Sequence, residues 1–327
     1  MTMSSDTFSL IVKAANKKTE AEGICSVDLI DPHGRELPAF EAGAHLDVRV
    51  NDTLTRQYSL SNDPAERHRY RLAVLRETAS RGGSVAMHDD LKNDSFLMVS
   101  TPRNHFALHA GAKRHLLFAG GIGITPILSM AHQLTADNAE FELHYTAKSA
   151  ARMAFKAEIE NSAFAQHSHF YFSDGDENQR FRAQLPTLVP QPDTDTHVYF
   201  CGPGSFIDAV TQAFTDKGWD KHQLHTEHFT AAEIDTSDDG SFEVELASSG
   251  EVYTIPADQT VFEVLDEAGV FIATSCEQGV CGTCLTRVID GVPEHRDMFM
   301  DDDEHAANDQ FTPCCSRSKS ARLVIDL

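Results

Sequence analysis

Near the end of this 327-residue chain stands Cys276-Glu-Gln-Gly-Val-Cys281-Gly-Thr-Cys284, followed thirty residues later by Cys314. The run reads C-x4-C-x2-C with a distant fourth cysteine, the plant-type spacing for a [2Fe–2S] cluster. Three thiolates on one short loop and a fourth from another segment can hold two irons, two cysteines to each. Such a loop has to wrap closely round inorganic sulfides, and it constrains the backbone more than any other stretch of the chain. Gly279 and Gly282 stand where it must turn sharply and bring N–H groups close. Zinc is the competing reading, but structural zinc sites pair C-x2–4-C with a second close pair. Here the fourth cysteine has no partner motif other than its neighbour Cys315.

The length is large for one core and suits two or three domains. No apolar run is long enough to cross a membrane, and Met1–Ser5 lacks the basic flank and apolar core of a signal peptide. A cytoplasmic location with reduced thiols is therefore expected. The formal charge of −23 argues against nucleic acid or an anionic membrane as partner. It is unevenly spread: residues 231–327 carry 21 acidic and 5 basic residues, a net of −16, against −7 for residues 1–230. That excess reads either as a solvated, salt-adapted surface or as a docking face for a basic partner.

The first hundred residues form short runs rich in β-branched or alternating apolar residues: Phe8–Val12, Ile24–Ile30, His45–Val50, Gln57–Leu60, Arg69–Leu75 and Phe96–Val99. Turn-rich pieces such as Asp31-Pro-His-Gly34 separate them, which predicts an antiparallel barrel. In Arg56-Gln-Tyr58-Ser59-Leu60, the arginine, ring and hydroxyl read as sharing one strand face, a cation for a phosphate beside a ring edge for a flat cofactor. Arg81-Gly82-Gly83-Ser84 leads into a short helix over Val85–Leu91 and would suit an anion, although taken alone a plain N-cap after a flexible turn explains it better.

Beyond Thr101–His105 the pattern changes. The apolar run His115–Ala119 ends in Gly120-Gly121-Ile-Gly123-Ile-Thr125-Pro126, followed by an apolar helix over Ile127–Leu134. Strand, glycine turn and helix in this order make a pyrophosphate site of the dinucleotide-binding type, although the spacing is not G-x-G-x-x-G. Further alternation predicts a strand at Phe141–Tyr145, a helix over Ala150–Ile159, and strands at His169–Phe172 and His197–Phe200. The last of these runs into Cys201-Gly202-Pro203-Gly204 and a helix over Phe206–Lys217. Ala231–Ser241 is acidic and poor in large apolar residues, as a linker is. The remainder predicts strands at Phe242–Leu246, Val252–Ile255, Thr286–Ile289 and Leu323–Ile325 with one helix at Val261–Ala268, a sheet of ferredoxin size.

Taken together, Arg56-x-Tyr58-Ser59-Leu60, Gly120–Pro126 with Cys201-Gly-Pro203, and the C-terminal cysteine loop resemble the phthalate dioxygenase reductase family, within the wider ferredoxin–NADP reductase superfamily. The likeness runs from about Phe8 to Leu327. It implies a multidomain fold: an antiparallel β-barrel FMN domain (1–107), a parallel α/β NAD-binding domain (108–230), a linker (231–241) and an α+β plant-type ferredoxin domain (242–327). By the same resemblance Arg56 and the Gly82-Gly83-Ser84 turn hold the FMN phosphate, Tyr58 lies along the isoalloxazine, and Ser59 sits near its N5. FAD is the alternative flavin. Gly120, Gly121, Gly123, Thr125 and Pro126 hold the NADH pyrophosphate with Gly202 and Pro203. Cys201 stands near the nicotinamide, where a buried strand-end thiol would also occur for packing reasons, and Phe229 covers the flavin. Asp174, in Ser173-Asp174 after a strand, could bond ribose hydroxyls and repel a 2′-phosphate, while Arg180 and Arg182 nearby keep NADPH open. The family pattern of cysteine, apolar residue, Ser-Arg assigns Cys314 as fourth cluster ligand with Cys276, Cys281 and Cys284. Cys315 takes the apolar slot and could substitute for Cys314.

The resemblance further implies a relay: NADH reduces FMN by hydride, and FMN reduces the cluster one electron at a time. The cluster then passes electrons to a separate Rieske-type oxygenase docking on the acidic ferredoxin domain. No Rieske C-x-H…C-x2-H pattern occurs in this chain. Two rivals are a free-standing flavin or iron reductase with small acceptors, and a non-enzymatic redox sensor.

Overall fold

The computed structural model describes residues 8–51, 54–77, 82–177, 180–230 and 236–327. Arg81 of the expected anion turn, part of the 231–241 linker and the amino-terminal Met1–Ser5 lie outside them. The chain divides into two compact units, Met1–Glu227 and His228–Leu327.

The first unit begins with antiparallel strands β1 (Leu10–Ala21), β2 (Ile24–Ile30), β3 (His45–Asn51), β4 (Leu54–Ser59) and β5 (Tyr70–Leu75). A short helix α1 (Gly83–Asp89) and strand β6 (Phe96–Val99) follow. The sheet order is β4-β3-β6-β1-β2-β5. Just past β4 the Ser61 N–H donates to the Arg71 carbonyl at 2.9 Å, so the two edges meet and the sheet rolls into a barrel. Its interior is apolar, with Val12, Leu29, Leu46, Val48, Leu60, Tyr70, Leu72 and Val99 all buried.

Next come β7 (Arg114–Gly120), α2 (Ile124–Ala136), β8 (Glu140–Ala147), α3 (Lys156–Glu160), β9 (Ser168–Phe172), α4 (Phe181–Leu188), β10 (Thr196–Cys201), α5 (Gly204–Asp216) and β11 (Leu224–Glu227). All five strands are parallel in the order β11-β10-β7-β8-β9. β10 is buried throughout and β7 from its second residue on, as strands covered by helices on both faces must be. The order reverses between β7 and β10, and in such sheets ligands bind beyond the strands' carboxyl ends at that point. The expected helix over Ala150–Ile159 is broken instead. A 3-10 turn (Ala150–Arg152) precedes α3, and Phe155 takes a left-handed φ of 59°. That turn places its buried ring under the Arg71 guanidinium, 4.7 Å from the ring centre. Helix α4 and strand β11 are not visible in the sequence pattern; α4 carries Pro186 within it.

The second unit contains β12 (Phe242–Leu246), β13 (Val252–Ile255), α6 (Val261–Glu267), β14 (Thr286–Asp290), β15 (Pro293–Glu294), α7 (Asp302–Ala307), β16 (Gln310–Phe311), β17 (Arg317–Ser318) and β18 (Arg322–Ile325). The main sheet runs β13-β12-β18-β14-β16, with β12 and β18 parallel. The acidic tract Asp301–Glu304, featureless as sequence, opens α7 as a reciprocal cap. The Asp301 carboxylate accepts from the Asp303 and Glu304 N–H groups while Glu304 accepts from the Asp301 N–H.

In the first unit, burial pushes His45 down to about 3 and both His115 and His225 down to about 4. Neutral imidazoles are thus built into the fold. Unfolded, each takes a proton near its ordinary 6.5, so their contribution to stability is complete above that pH and is lost as the pH falls towards 4. Histidine NMR titration should find these three rings still neutral at pH 5.5. Ordinary midpoints for them would contradict the packing.

Candidate functional site

In the second unit α6 ends, Ile272 is anchored in the core, and the chain then runs without regular structure to β14. Along that loop Cys276, Cys281 and Cys284 turn inward, and Cys314 arrives from the segment after β16; all four are buried. The Sγ atoms of Cys284 and Cys314 lie 3.4 Å apart. A tetrahedral ion with metal–sulfur bonds of about 2.3 Å separates its sulfurs by about 3.7 Å, so this pair needs little adjustment to share one iron. The Cys276 thiol, hydrogen-bonded to those of Cys281 and Cys314, is held far below its ordinary value. Backbone N–H groups point at sulfur: Gln278 to Cys276 at 3.3 Å and Thr283 to Cys281 at 3.4 Å. Donor set, burial and N–H orientation all fit an iron–sulfur cluster.

The two glycines do more than turn the chain. Gly279 (φ 73°) would place a Cβ 2.4 Å from the Cys315 Sγ, and Gly282 (φ 66°) would place one 2.3 Å from the Phe299 ring. Cys315 and Phe299 therefore back the loop. The Cys315 sulfur lies 3.2 Å from the Thr312 Oγ1 and also touches the Cys314 thiol.

In the first unit the strand residues and the glycine turn, far apart in sequence, come together. The Arg56 side chain lies across the first turn of α1, where a Cβ on Gly83 would be 2.7 Å from its Cγ and 3.2 Å from its Nε. Gly82 has a left-handed φ of 96°, and the Ser84 hydroxyl accepts from the Glu77 N–H at 3.1 Å. A guanidinium beside such a turn can receive a phosphate. The one-face expectation needs correcting. Tyr58 and Ser59 are consecutive in β4, so the pleat sends them to opposite sides. Tyr58 packs on the barrel core, while the buried Ser59 donates its hydroxyl to Glu227 Oε2 at 3.0 Å.

Glu227 ends β11, directly beside Cys201 at the end of β10. It joins Ser59 and Cys201 here, and its sequence context does not single it out. Its one signal is a carboxylate closing an otherwise unremarkable strand next to Phe229. The carboxyl is only partly accessible, and loss of hydration pushes it up to about 7 although the Ser59 hydroxyl pulls it back. Cys201 is wholly buried, and burial with the nearby Glu227 raises its thiol well above the ordinary value, so it stands neutral.

Beside these residues the two expected nucleotide loops interlock. A Cβ on Gly123 would meet the Cys201 carbonyl oxygen at 2.2 Å, and one on Gly202 would meet Gly120 Cα at 3.0 Å. Gly121 (φ 55°) has nothing within 4 Å of its Cβ position and faces open space. Thr125 is buried with its hydroxyl donated to the Ile122 carbonyl at 3.1 Å, and Pro126 sits in the first turn of α2, where its missing N–H costs nothing. Pro203 caps α5. Asp174 lies in the exposed turn after β9, its N–H on the Lys148 carbonyl at 3.0 Å. Arg182 donates to the Ser205 carbonyl at 2.8 Å. Phe229, 37% exposed, stands at the start of the second unit.

Residues 244–319 match the model of a 2Fe-2S iron-sulfur cluster binding domain. Residues 98–224 match the N-terminal domain of dimethylamine monooxygenase subunit DmmA-like proteins. The chain is 50% identical over 307 residues to the vanillate O-demethylase oxidoreductase of Pseudomonas sp. (strain HR199 / DSM 7063), covering 94% of this chain and 96% of that protein. Among solved structures, phthalate dioxygenase reductase, described as modular for electron transfer from pyridine nucleotides to [2Fe-2S], is 40% identical with a TM-score of 0.75 over 98% of each chain. An intact type IV self-sufficient cytochrome P450 monooxygenase is 38% identical with a TM-score of 0.85 over 97% of this chain. The match spans 41% of that longer protein. Among the described residues no helix is long and apolar enough to cross a membrane.

The glycine contacts give unequal expectations. Gly123→Ala drives a methyl into the Cys201 carbonyl and should cost about 2 kcal/mol or more. Gly121→Ala meets open space and should cost only about 1 kcal/mol for its left-handed φ. Denaturant unfolding of the two variants checks the order, and equal losses would contradict the interlock.

Proposed function

The chain belongs to the phthalate dioxygenase reductase family, and from that premise we propose that it is the cytoplasmic reductase component of a two-component Rieske-type oxygenase or demethylase. In this reading electrons enter from NADH, pass through FMN in the 1–107 barrel, reach a [2Fe–2S] cluster in the 242–327 domain and leave to a separate oxygenase. The observation that carries it is the presence, in one chain, of a buried four-thiol pocket and of a seam where Ser59, Glu227 and Cys201 meet at the switch point of a parallel sheet.

Bound FMN supplies the exchange between a two-electron hydride and the single electrons that a cluster accepts. The chain's own residues bind and orient. Arg56 with Gly82, Gly83 and Ser84 holds the flavin phosphate, supported by the Arg56 stem lying over Gly83. The open face at Gly121, at the start of a 13-residue helix, receives the NADH pyrophosphate, with Gly120, Gly123, Thr125, Gly202 and Pro203 fixing the turn. Asp174 takes the ribose hydroxyls. Neutral Cys201, wholly buried beneath the nucleotide loops, brings no charge to the nicotinamide site. Glu227, whose carboxyl is pushed up to about 7, could hold or release a proton on its own carboxyl beside the flavin, while the Ser59 hydroxyl donates to its ionised form. Cys276, Cys281, Cys284 and Cys314 ligate the cluster. The acid-rich cluster domain faces a basic patch on the oxygenase.

Cytochrome c, a basic one-electron protein acceptor, tests the exit separately from the entrance. The Cys314→Ala/Cys315→Ala double variant, which also removes the neighbouring thiol that could stand in for Cys314, should abolish NADH-driven cytochrome c reduction yet leave NADH–ferricyanide activity, which needs only the flavin, within about twofold, while Cys315→Ala alone should keep both. The wild-type cytochrome c rate should fall as ionic strength rises. Full cytochrome c activity in the double variant would contradict the assigned exit.

A further inference from the structure

The segment from His295 to His305 brings together three side chains that the relay does not use. His295 follows β15, Asp297 lies two residues on, and His305 is carried by α7. The Asp297 side chain is wholly buried and that of His295 is 8% exposed. Asp297 Oδ2 accepts from the Phe299 and Met300 N–H groups at 3.2 and 2.8 Å. Its Oδ1 is hydrogen-bonded to His305 Nε2 at 3.2 Å and lies 4.0 Å from His295 Nδ1. The three ligand atoms all lie within 4.8 Å of one another.

His295 is the informative member. Its Nε2 lies 3.3 Å from Asn308 Oδ1, an oxygen that can only accept, so Nε2 carries the ring proton. Nδ1 is then a lone pair, buried and with no hydrogen-bond partner, beside a carboxylate oxygen. His305 can give Asp297 Oδ1 a proton, but the buried His295 Nδ1 lone pair is left without a donor, which is costly unless a cation reaches it. Among the described residues the ion-pair partners of Asp297 are the two histidines; no lysine or arginine fills the gap.

We propose that His295 Nδ1, Asp297 Oδ1 and His305 Nε2 form a binding site for a divalent first-row transition ion, with water completing the coordination. Two imidazoles and one carboxylate suit zinc and its neighbours better than calcium or magnesium, which prefer oxygen alone. Asn308 is then the outer partner that fixes the His295 tautomer. The two rings stack at 4.5 Å with 20° between their planes, whereas an ion must lie near the plane of each ring that binds it. Binding therefore turns the His305 ring, 27% exposed on its helix, towards the ion while His295 and Asp297 stay in place. The ion would tie α7 to the segment that backs the cysteine loop: a Cβ on Gly279 would lie 3.0 Å from Asp297, and the Met298 N–H donates to the Gly279 carbonyl at 2.9 Å. This site is independent of the electron route.

The test uses holoprotein with its visible cluster spectrum intact, equilibrated with zinc chloride against a competing chelator, gel-filtered and assayed for zinc. Wild type should retain one zinc per chain in addition to the cluster iron. His305→Ala, altered on the solvent side of α7, should bind at least about tenfold more weakly, and so should Asp297→Asn. Because Asp297 also accepts two backbone N–H groups, its variant counts only with an unchanged cluster spectrum, and His305→Ala carries the decision. No zinc on wild type, or equal zinc on His305→Ala, would overturn the site.

Discussion

Four thiols can share one small buried volume only if the backbone between them gives up side chains, and the C-terminal unit is built to that condition. Gly279 and Gly282 take left-handed conformations, and the space their Cβ atoms would need is filled by Cys315 and Phe299. The loop is held from both ends. A reciprocal Thr260–Glu263 cap starts α6 before it, and β14 takes up the sheet after it. The Phe262 N–H donates to the Pro313 carbonyl at 3.0 Å, fixing α6 to the segment that delivers Cys314. Arg317 gathers the same region, donating to the carbonyls of Gln259, Gly240 and Pro256 with its guanidinium over the Phe242 ring. Buried charge is acceptable there because three carbonyls and the Asp239 carboxylate surround it. Asp239, where the chain enters this unit, is paired with both Arg296 and Arg317.

The amino-terminal unit meets the same demand for close backbone approach in another way. Glycines 120, 123 and 202 let the ends of β7 and β10 touch main chain to main chain, which leaves the start of α2 open for a ligand. The barrel must keep its register against this sheet for Ser59 to reach Glu227. A nearly buried Arg71 does much of that, gripping Glu158 through two hydrogen bonds of 2.7 and 2.8 Å. Burial alone would raise Glu158, yet His132 at 3.5 Å and the two Arg71 bonds bring its carboxyl down to about 2, so it is ionised at any working pH. Removing Glu158 would strand a buried guanidinium, the costly way to break such a pair.

The sequence made legible what is local. Cysteine spacing, the glycine turn after an apolar strand, and alternating apolar residues each depend on neighbours within a few positions, and the barrel, the parallel sheet and the cysteine loop followed from them. What stayed hidden depends on contacts between distant residues. Glu227 looks like any surface acid until β11 places it beside Cys201 and opposite Ser59. Composition alone gives Asp301–Glu304 only as an acidic run, because a reciprocal cap is a matter of geometry as well as composition. Phe155 breaks an expected helix because tertiary packing under Arg71 outweighs local propensity. The Arg56 and Gly83 motifs, each weak alone, gained meaning only when the fold laid one across the other.

The central claim is that one chain takes a hydride from NADH and releases single electrons through its cysteine loop. Anaerobic titration of the FMN-loaded holoprotein with NADH, followed by visible and low-temperature EPR spectra, tests it most directly. The account predicts that flavin bleaching is accompanied by reduction of a [2Fe–2S] cluster, with three electrons taken up per chain: two on the flavin and one on the cluster. Flavin bleaching with the cluster left oxidised would contradict it.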